Sequence, residues 1–588
     1  MALAGKAPGP VSGGAAPTDL PALSGWAMAL LAVAVGLVAG AGAVVFRGMI
    51  GGVHNLLFLG RLSWSYDANL HTPPSPWGIL VVLVPVVGAI AVAYIVGTFA
   101  PEAKGHGVPE VMDAIYYRAG RIRPVVAAVK SAASAISIGS GGSVGREGPI
   151  VQIGAAFGST LGQLIRMPAH QRIVLVAAGA GAGIGATFNS PMGGVAFAVE
   201  LMLPAVTARS FLAVALATVV ATRIGQSFFG TLPSFQVPAL AVMSPDLSPG
   251  ALPWFLLCGV VGGLLAALMI HAIYWFEDRF DAMPGNYYTR HALGMLAVGL
   301  ILWGFMTWSP SLFGQPGHYY VQGVGYATIL DVLRSDLTAP GFLALLVVAK
   351  LLVTCLTLGS GASGGVFSPS LFLGAAGGAA LAGIANALLP GIDLAPAHFA
   401  VATMAGMIAG TTGAVMTAVV MLFEMTWDYG LILPTILAAA VAYATRQGLS
   451  PSSIYTLKLL RRGDVVPQGL QAWIAGTRRA RDVMSTAFVL SEADPFPVQT
   501  PPADRAVILV RGGEIAGVAA GGEPGSVAVV TVAAEDGLGV VLRAMEIAGA
   551  KVALVTRDRA SASALDLVGV ITDRELAVVV RSTAHLTE

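Results

Sequence analysis

From Leu351 to Phe423 the only charged side chain is Asp393, yet this apolar stretch is repeatedly interrupted by glycine and proline. Lipid admits only helices or closed barrels as spanning elements, and irregular backbone at membrane depth survives only where protein encloses it or where it lines a cavity. The interruptions are therefore more informative than the apolar runs. They lie at 139–149, 189–194, 359–369 and 430–434. Two of them, GSGGSVGREGP (139–149) and GSGASGGVFSP (359–369), fall one in each half of the apolar region. Paired breaks of this kind point to an inverted repeat with a permeation site between its halves.

Composition supports the bilayer as solvent. Of the 588 residues 56% are hydrophobic and 11% charged, against roughly 25% charged in an ordinary soluble domain. Uncharged runs long enough to cross a hydrocarbon core, about 20 residues, include Trp26–Phe46, Trp77–Ala100 and Ile173–Val199, with others near 254–270, 292–308 and 340–358. Ten or more hydrophobic segments are expected. A net charge of +1, with no run of Lys or Arg interleaved with aromatics, excludes nucleic acid as a partner. Two cysteines, Cys258 and Cys355, exclude a disulfide framework and a Cys metal cluster, and no HExxH occurs.

Residues 1–22 are rich in Gly, Ala and Pro, read as disordered, and lack the regions of a cleavable signal, so the first apolar segment is expected to be retained. The membrane unit then runs over 23–460 and a basic linker over 461–479. Arg461, Arg462, Arg478, Arg479 and Arg481 follow the last apolar segment, which places the tail on the cytoplasmic side of the cell membrane. From 480 to 588 the chain reads as small α/β units, with strand-like VALV (552–555) and VGVI (568–571) flanking a helix-like 536–548.

An anion in a membrane needs hydrogen-bond donors and positive potential without a full counter-charge that would trap it. Helix N-termini supply both, and glycine lets backbone approach the ion closely. GHGVPE (105–110), GREGP (145–149) and GGVFSP (364–369) each combine glycine, proline and a helix start, and three such termini converging would make an anion site, with Gly107, Arg146 and Gly148 of the first two among its candidates.

These segments, with VQIG after the first break, FNSP (188–191), FEMTWDY (423–429) and SIYTLKL (453–459), resemble the motifs of the CLC family of chloride channels and transporters, in that family's order. The resemblance covers roughly 25–460. It implies an all-α polytopic membrane fold with broken helices in an inverted repeat, a homodimer with one pore per subunit, and passage of chloride or another small anion. Either a voltage-gated-type channel or a chloride/proton antiporter fits; a passive channel preferring fluoride or nitrate is the alternative.

By the same resemblance Glu147 matches the gating glutamate, whose carboxylate takes an anion position when ionised and swings aside when protonated; pairing with Arg146 is the plainer reading. The backbone N–H groups of Val366 and Phe367 and the hydroxyl of Tyr455 match the family's ion contacts, although Tyr455 also suits an interfacial belt. His106 replaces the usual serine, and an imidazole can donate to an anion or cap backbone instead. Where proton-coupled members carry an inner glutamate, alignment on FNSP puts Leu201, with Glu200 one residue early, so Glu200 is the candidate for a proton path. Lys130, Lys350 and Glu424 are expected to pair or snorkel.

The tail resembles a pair of CBS modules, RARDVMS (479–485) opening the first and GVITDREL (569–576) closing the second. That likeness implies an adenine nucleotide, with Thr572 on phosphate and Asp573 or Glu575 on ribose, and a shortened first module. No cofactor is required by transport itself. The chain is not expected to be an enzyme. GASGG (361–365) satisfies the serine-hydrolase pattern around Ser363, but neither His271 nor His398 has a supporting motif. No Gly-Lys-Ser/Thr follows the first break, which argues against an ATP-driven pump; only the motif set argues against an organic-solute permease.

Overall fold

Proline in the first turn and left-handed residues past the last turn divide the apolar sequence into helices. Pro109, Pro149, Pro191, Pro340, Pro369 and Pro396 all sit in first turns, where a missing N–H costs nothing. Asn189, Gly361 and Gly413 end helices with positive φ. The computed structural model describes residues 22–235, 251–389, 392–464, 466, 479–491, 506–511, 513–519, 527–557 and 566–577. The N-terminal segment read as disordered, but for its last residue, and most of the basic linker lie outside them.

The first half holds α1 (Gly25–Leu59), α2 (Val84–Phe99), α3 (Val108–Tyr117), α4 (Val125–Gly139), α5 (Glu147–Leu164), α6 (Ala169–Phe188), α7 (Pro191–Phe197) and α8 (Ala208–Phe229). The second holds α9 (Leu252–Ala282), α10 (Tyr287–Phe313), α11 (Tyr326–Leu333), α12 (Pro340–Ser360), α13 (Phe367–Leu388), α14 (Pro396–Thr412), α15 (Val415–Thr426) and α16 (Ile432–Leu449), and α17 (Ile454–Arg461) follows. Among the described residues nine helical stretches are long and apolar enough to cross a membrane. Leu30, Val45, Ile90, Leu264, Leu300 and Val348 are exposed on their outer faces, the pattern of a chain solvated by lipid.

The halves repeat each other's packing. α1 packs on α8 as α9 packs on α16, and α5 on α6 as α13 on α14. Glycine makes the second pair of contacts: a Cβ at Gly154 would stand 2.1 Å from Gly179 O, and one at Gly378 2.2 Å from Phe399 O. Bare backbone at such crossings is how membrane helices gain close contact without a hydrophobic drive. This is a mostly helical membrane fold of the expected kind.

The tail contributes two three-stranded sheets, β1 (Phe488–Ser491), β2 (Ala506–Arg511) and β3 (Glu514–Ala519), then β4 (Val529–Ala533), β5 (Val552–Thr556) and β6 (Leu567–Thr572). In each sheet the first pair is parallel and the second antiparallel. α19 (Leu538–Ala548) makes the crossover from β4 to β5 that a parallel pair requires; α18 (Ala480–Val483) precedes the first sheet in sequence. Segment 479–485, read from sequence as opening the first module, precedes β1 and bonds to the second sheet, where Ser485 and Val570 exchange both backbone hydrogen bonds and Ala480 N donates to Asp536 O. No local pattern announces a backbone pairing between residues so far apart. The tail touches the start of the linker through Arg543, which pairs with Asp464 and donates to Arg462 O, while Arg462 Nη2 lies 2.6 Å from Glu110 Oε1 on α3.

Candidate anion site

α5 and α13 begin at equivalent breaks, with each residue of the first matched 220 positions later in the second, as Gly145 is by Gly365. These two glycines pair with each other: Gly145 N donates to Gly365 O at 2.7 Å and Gly365 N to Gly145 O at 2.6 Å. A residue bonded to its own repeat mate marks a local two-fold axis, and it brings the N-termini of α5 and α13 together. α3 joins them, because Gly105 N donates to Ala362 O and Gly364 N to Gly105 O. At two of the glycines no side chain fits between these elements. A Cβ at Gly148 would stand 2.1 Å from His106 O, and one at Gly365 2.7 Å from Gly148 N.

The first turns of α5 and α13 leave backbone N–H groups without intrahelical acceptors, so their meeting point carries concentrated positive potential. The carboxylate of Glu147 lies there. Its Oε2 accepts from Ser368 N at 3.4 Å, and its Oε1 accepts from Tyr326 Oη at 2.7 Å and from the Ser368 hydroxyl. A Cβ at Gly145 would stand 2.0 Å from Glu147 Oε2, so only glycine leaves room for the carboxylate. Arg146 does not pair with it. Its guanidinium stands 5.3 Å over the Tyr326 ring, Nη2 donates to Thr187 O, and Nε is buried without a hydrogen-bond partner among the described residues.

Val366 and Phe367 are buried at the start of α13, the Phe367 ring 5.6 Å from that of Phe188. Gly107, with φ 85°, precedes α3, and a Cβ there would press on Gln152 and on Gly148 O. His106 and Tyr455 are buried with ring centroids 6.5 Å apart, and Tyr274 stands 6.3 Å from His106. His106 also lines a cavity of about 240 Å³ together with Lys104, Lys458, Arg462 and Glu277. The structure thus brings Glu147, Arg146, Gly148, Val366 and Phe367 together at one place, and His106, Gly107 and Tyr455 beside it.

Both buried lysines hold loops. Lys130 Nζ donates to Ala103 O and Gly105 O at 3.0 and 2.7 Å, ahead of α3; Lys350 Nζ donates to Val321 O and Gly323 O at 3.1 and 2.8 Å, ahead of α11. They too are repeat mates.

Glu200 stands elsewhere. It lies in the π-helical turn after α7, where its carboxylate accepts from Met416 N, Thr417 N and Thr417 Oγ1 and so caps α15. Glu424, on α15, returns the contact: it accepts from Ser190 Oγ, Met192 N and Gly193 N and caps α7. In the tail, Thr572 N and Oγ1 both donate to Glu575 Oε2, so two of the three nucleotide candidates are bonded to each other. Ser363 Oγ donates to Ala103 O at 2.7 Å and lies 2.9 Å from Ser134 Oγ, neither of which is a base for a nucleophile.

Sequence reasoning missed Tyr326, Ser368 as a side chain, and the reciprocal glutamate caps. Constant spacing between the two breaks would have exposed the lysine pair.

The pattern described as "Voltage gated chloride channel" matches residues 87–447. The "H(+)/Cl(-) exchange transporter ClcA" of Vibrio parahaemolyticus is 34% identical over 400 residues, covering 66% of this chain and 80% of that protein. Among solved structures, a slow cyanobacterial Cl−/H+ antiporter is similar with a TM-score of 0.62 at 24% identity, covering 74% of this chain and 97% of that one. A eukaryotic CLC transporter gives a TM-score of 0.61 at 19% identity, over 93% of this chain and 97% of that one. At such identities the two structural likenesses speak to the fold alone.

Proposed function

The chain belongs to the voltage gated chloride channel family, whose members are transporters and channels rather than enzymes, and on that premise we propose that it exchanges chloride for protons across the cell membrane, with Glu147 as gate. One observation carries the reading: a carboxylate occupies the meeting point of two helix N-termini, the place a free halide would take. Oxygen of an ionised Glu147 stands in for the anion there. Protonation removes its charge, weakens its hold on the N–H groups, and leaves the place to chloride.

The backbone of Gly148, Val366 and Phe367 supplies donors to the ion, and the unpartnered Nε of Arg146 supplies another. Tyr455 and His106, with Gly107, form the inner mouth, and the basic cavity beside them gathers anions from the side of the tail. The relative named an H+/Cl− exchange transporter supports proton coupling. A second reading, passive conduction, is favoured by Leu201 at the inner-glutamate position and by the engagement of Glu200 with α15. Fluoride and nitrate remain competing cargoes. The protein acts as a homodimer with one pathway per subunit, and no cofactor serves transport.

The tail is cytoplasmic and CBS-like. Its repeated strand order supports two modules, and an adenine nucleotide would have to part Thr572 from Glu575 to reach the phosphate and ribose positions read for Thr572, Asp573 and Glu575.

Reconstitution in liposomes under a chloride gradient tests the whole. Uphill proton movement is expected, and Glu147→Gln should abolish both it and the pH dependence of chloride flux. Chloride flux without proton movement selects the passive reading, and an unaltered pH profile in Glu147→Gln rejects the gate.

A further inference from the structure

Tyr326 is a fully buried tyrosine whose position is fixed from every side. Lys350 ties down the loop in front of it, Gly325 turns that loop with φ 78°, and Tyr326 opens α11. Phe235 stands edge-on at 5.4 Å, and the Arg146 guanidinium covers the ring. The hydroxyl so placed has one described use in common with that of Ser368: both reach Glu147 Oε1. Each hydroxyl carries one proton, and both hydroxyl oxygens lie within hydrogen-bond reach of a single carboxylate oxygen; they are also 2.9 Å from each other. Hydrogen bonds to an ionised acceptor are the strong ones in a dry site. The backbone holds the other oxygen only loosely, with Ser368 N at 3.4 Å.

We propose that Tyr326 and Ser368 are positioning residues that clamp the Glu147 carboxylate in the anion position and set how much of the time it blocks the path. This rests on Glu147 as the gate and adds what keeps it shut. A carboxylate held only by helix N-termini competes with chloride for the same N–H groups with only its tether in its favour. Two hydroxyls aimed at Oε1 favour the tethered carboxylate over the free ion, and the chain would be a slow carrier as a result.

The test compares initial chloride efflux from liposomes for Tyr326→Phe and Ser368→Ala, each made in the wild-type chain and in Glu147→Ala. In the wild-type background each should speed efflux about threefold to tenfold, the shift one hydrogen bond can give a two-state gate. In Glu147→Ala neither should speed it, because the clamped group is gone and the two hydroxyls are left facing only the ion. Equal effects in both backgrounds, or no effect in the wild type beside a Glu147→Ala that has lost its pH dependence, would overturn the clamp and leave the gate standing. A Glu147→Ala chain with wild-type rate and pH profile would remove the gate itself. Ser368→Ala, a small deletion on a first helical turn, carries the test if Tyr326→Phe does not fold.

Discussion

The two glycine-rich breaks share a backbone and differ in chemistry. In both, a helix ends, four or more small residues turn the chain, and a new helix starts with proline in its first turn. At the matching positions the first presents Arg146 and Glu147 where the second presents Val366 and Phe367. The shared part makes the electropositive cradle, which needs only N–H groups. The unshared part decides what sits in it: one half brings a tethered carboxylate and a guanidinium, the other two buried apolar side chains.

Substitutions made in pairs can break or sharpen that comparison. The largest effect should come from Gly148→Ala and Gly365→Ala, since the first Cβ would press on His106 O and the second on Gly148 N. Each should cost about 3 kcal/mol or prevent assembly, read as thermal loss of monodisperse protein in detergent. A tolerated Gly365→Ala beside a lethal Gly148→Ala would show that the cradle is built on one half only. Next come Glu147→Gln and Phe367→Ala. The first should erase the pH dependence of chloride flux and the second should change its size while keeping that dependence; a pH-insensitive Phe367→Ala would dissolve the distinction between the halves.

A moderate effect is expected from Lys350→Met, which strips the donor from two buried carbonyls, and a smaller one from Lys130→Met, since Ala103 O and Gly105 O keep donors in Ser363 Oγ and Gly364 N. About 2 kcal/mol for Lys350→Met follows from unmet buried acceptors, measured by the same thermal assay. A larger loss from Lys130→Met would mean that this lysine holds more than its loop. The smallest effect belongs to Glu200→Gln and Glu424→Gln, at about 1 kcal/mol each for a weakened helix cap. If Glu200→Gln instead stops proton exchange with stability intact, the residue is a relay and not merely a cap.

Much of the membrane unit was legible because glycine, proline and the lack of charge are local signals. The positions of Glu147, Val366 and Phe367 were readable for the same reason, each lying inside a break. Tyr326 was not, since it meets Glu147 across 179 residues and sits in an unremarkable GVGYAT. The engagement of Glu200 was hidden likewise, its acceptor role depending on Thr417 in the other half. In the tail the strands at 552–556 and 567–572 matched their apolar patterns, whereas the pairing of Ser485 with Val570 depends on how two sheets dock.

The bond between Gly145 and Gly365 involves no side chain at all. A seam of that kind tolerates divergence: after an ancestral duplication, either copy can exchange its neighbouring residues for new chemistry without loosening the joint. Specialisation of one copy for control and the other for insulation then requires no invention of architecture, only drift around a pair of hydrogen atoms.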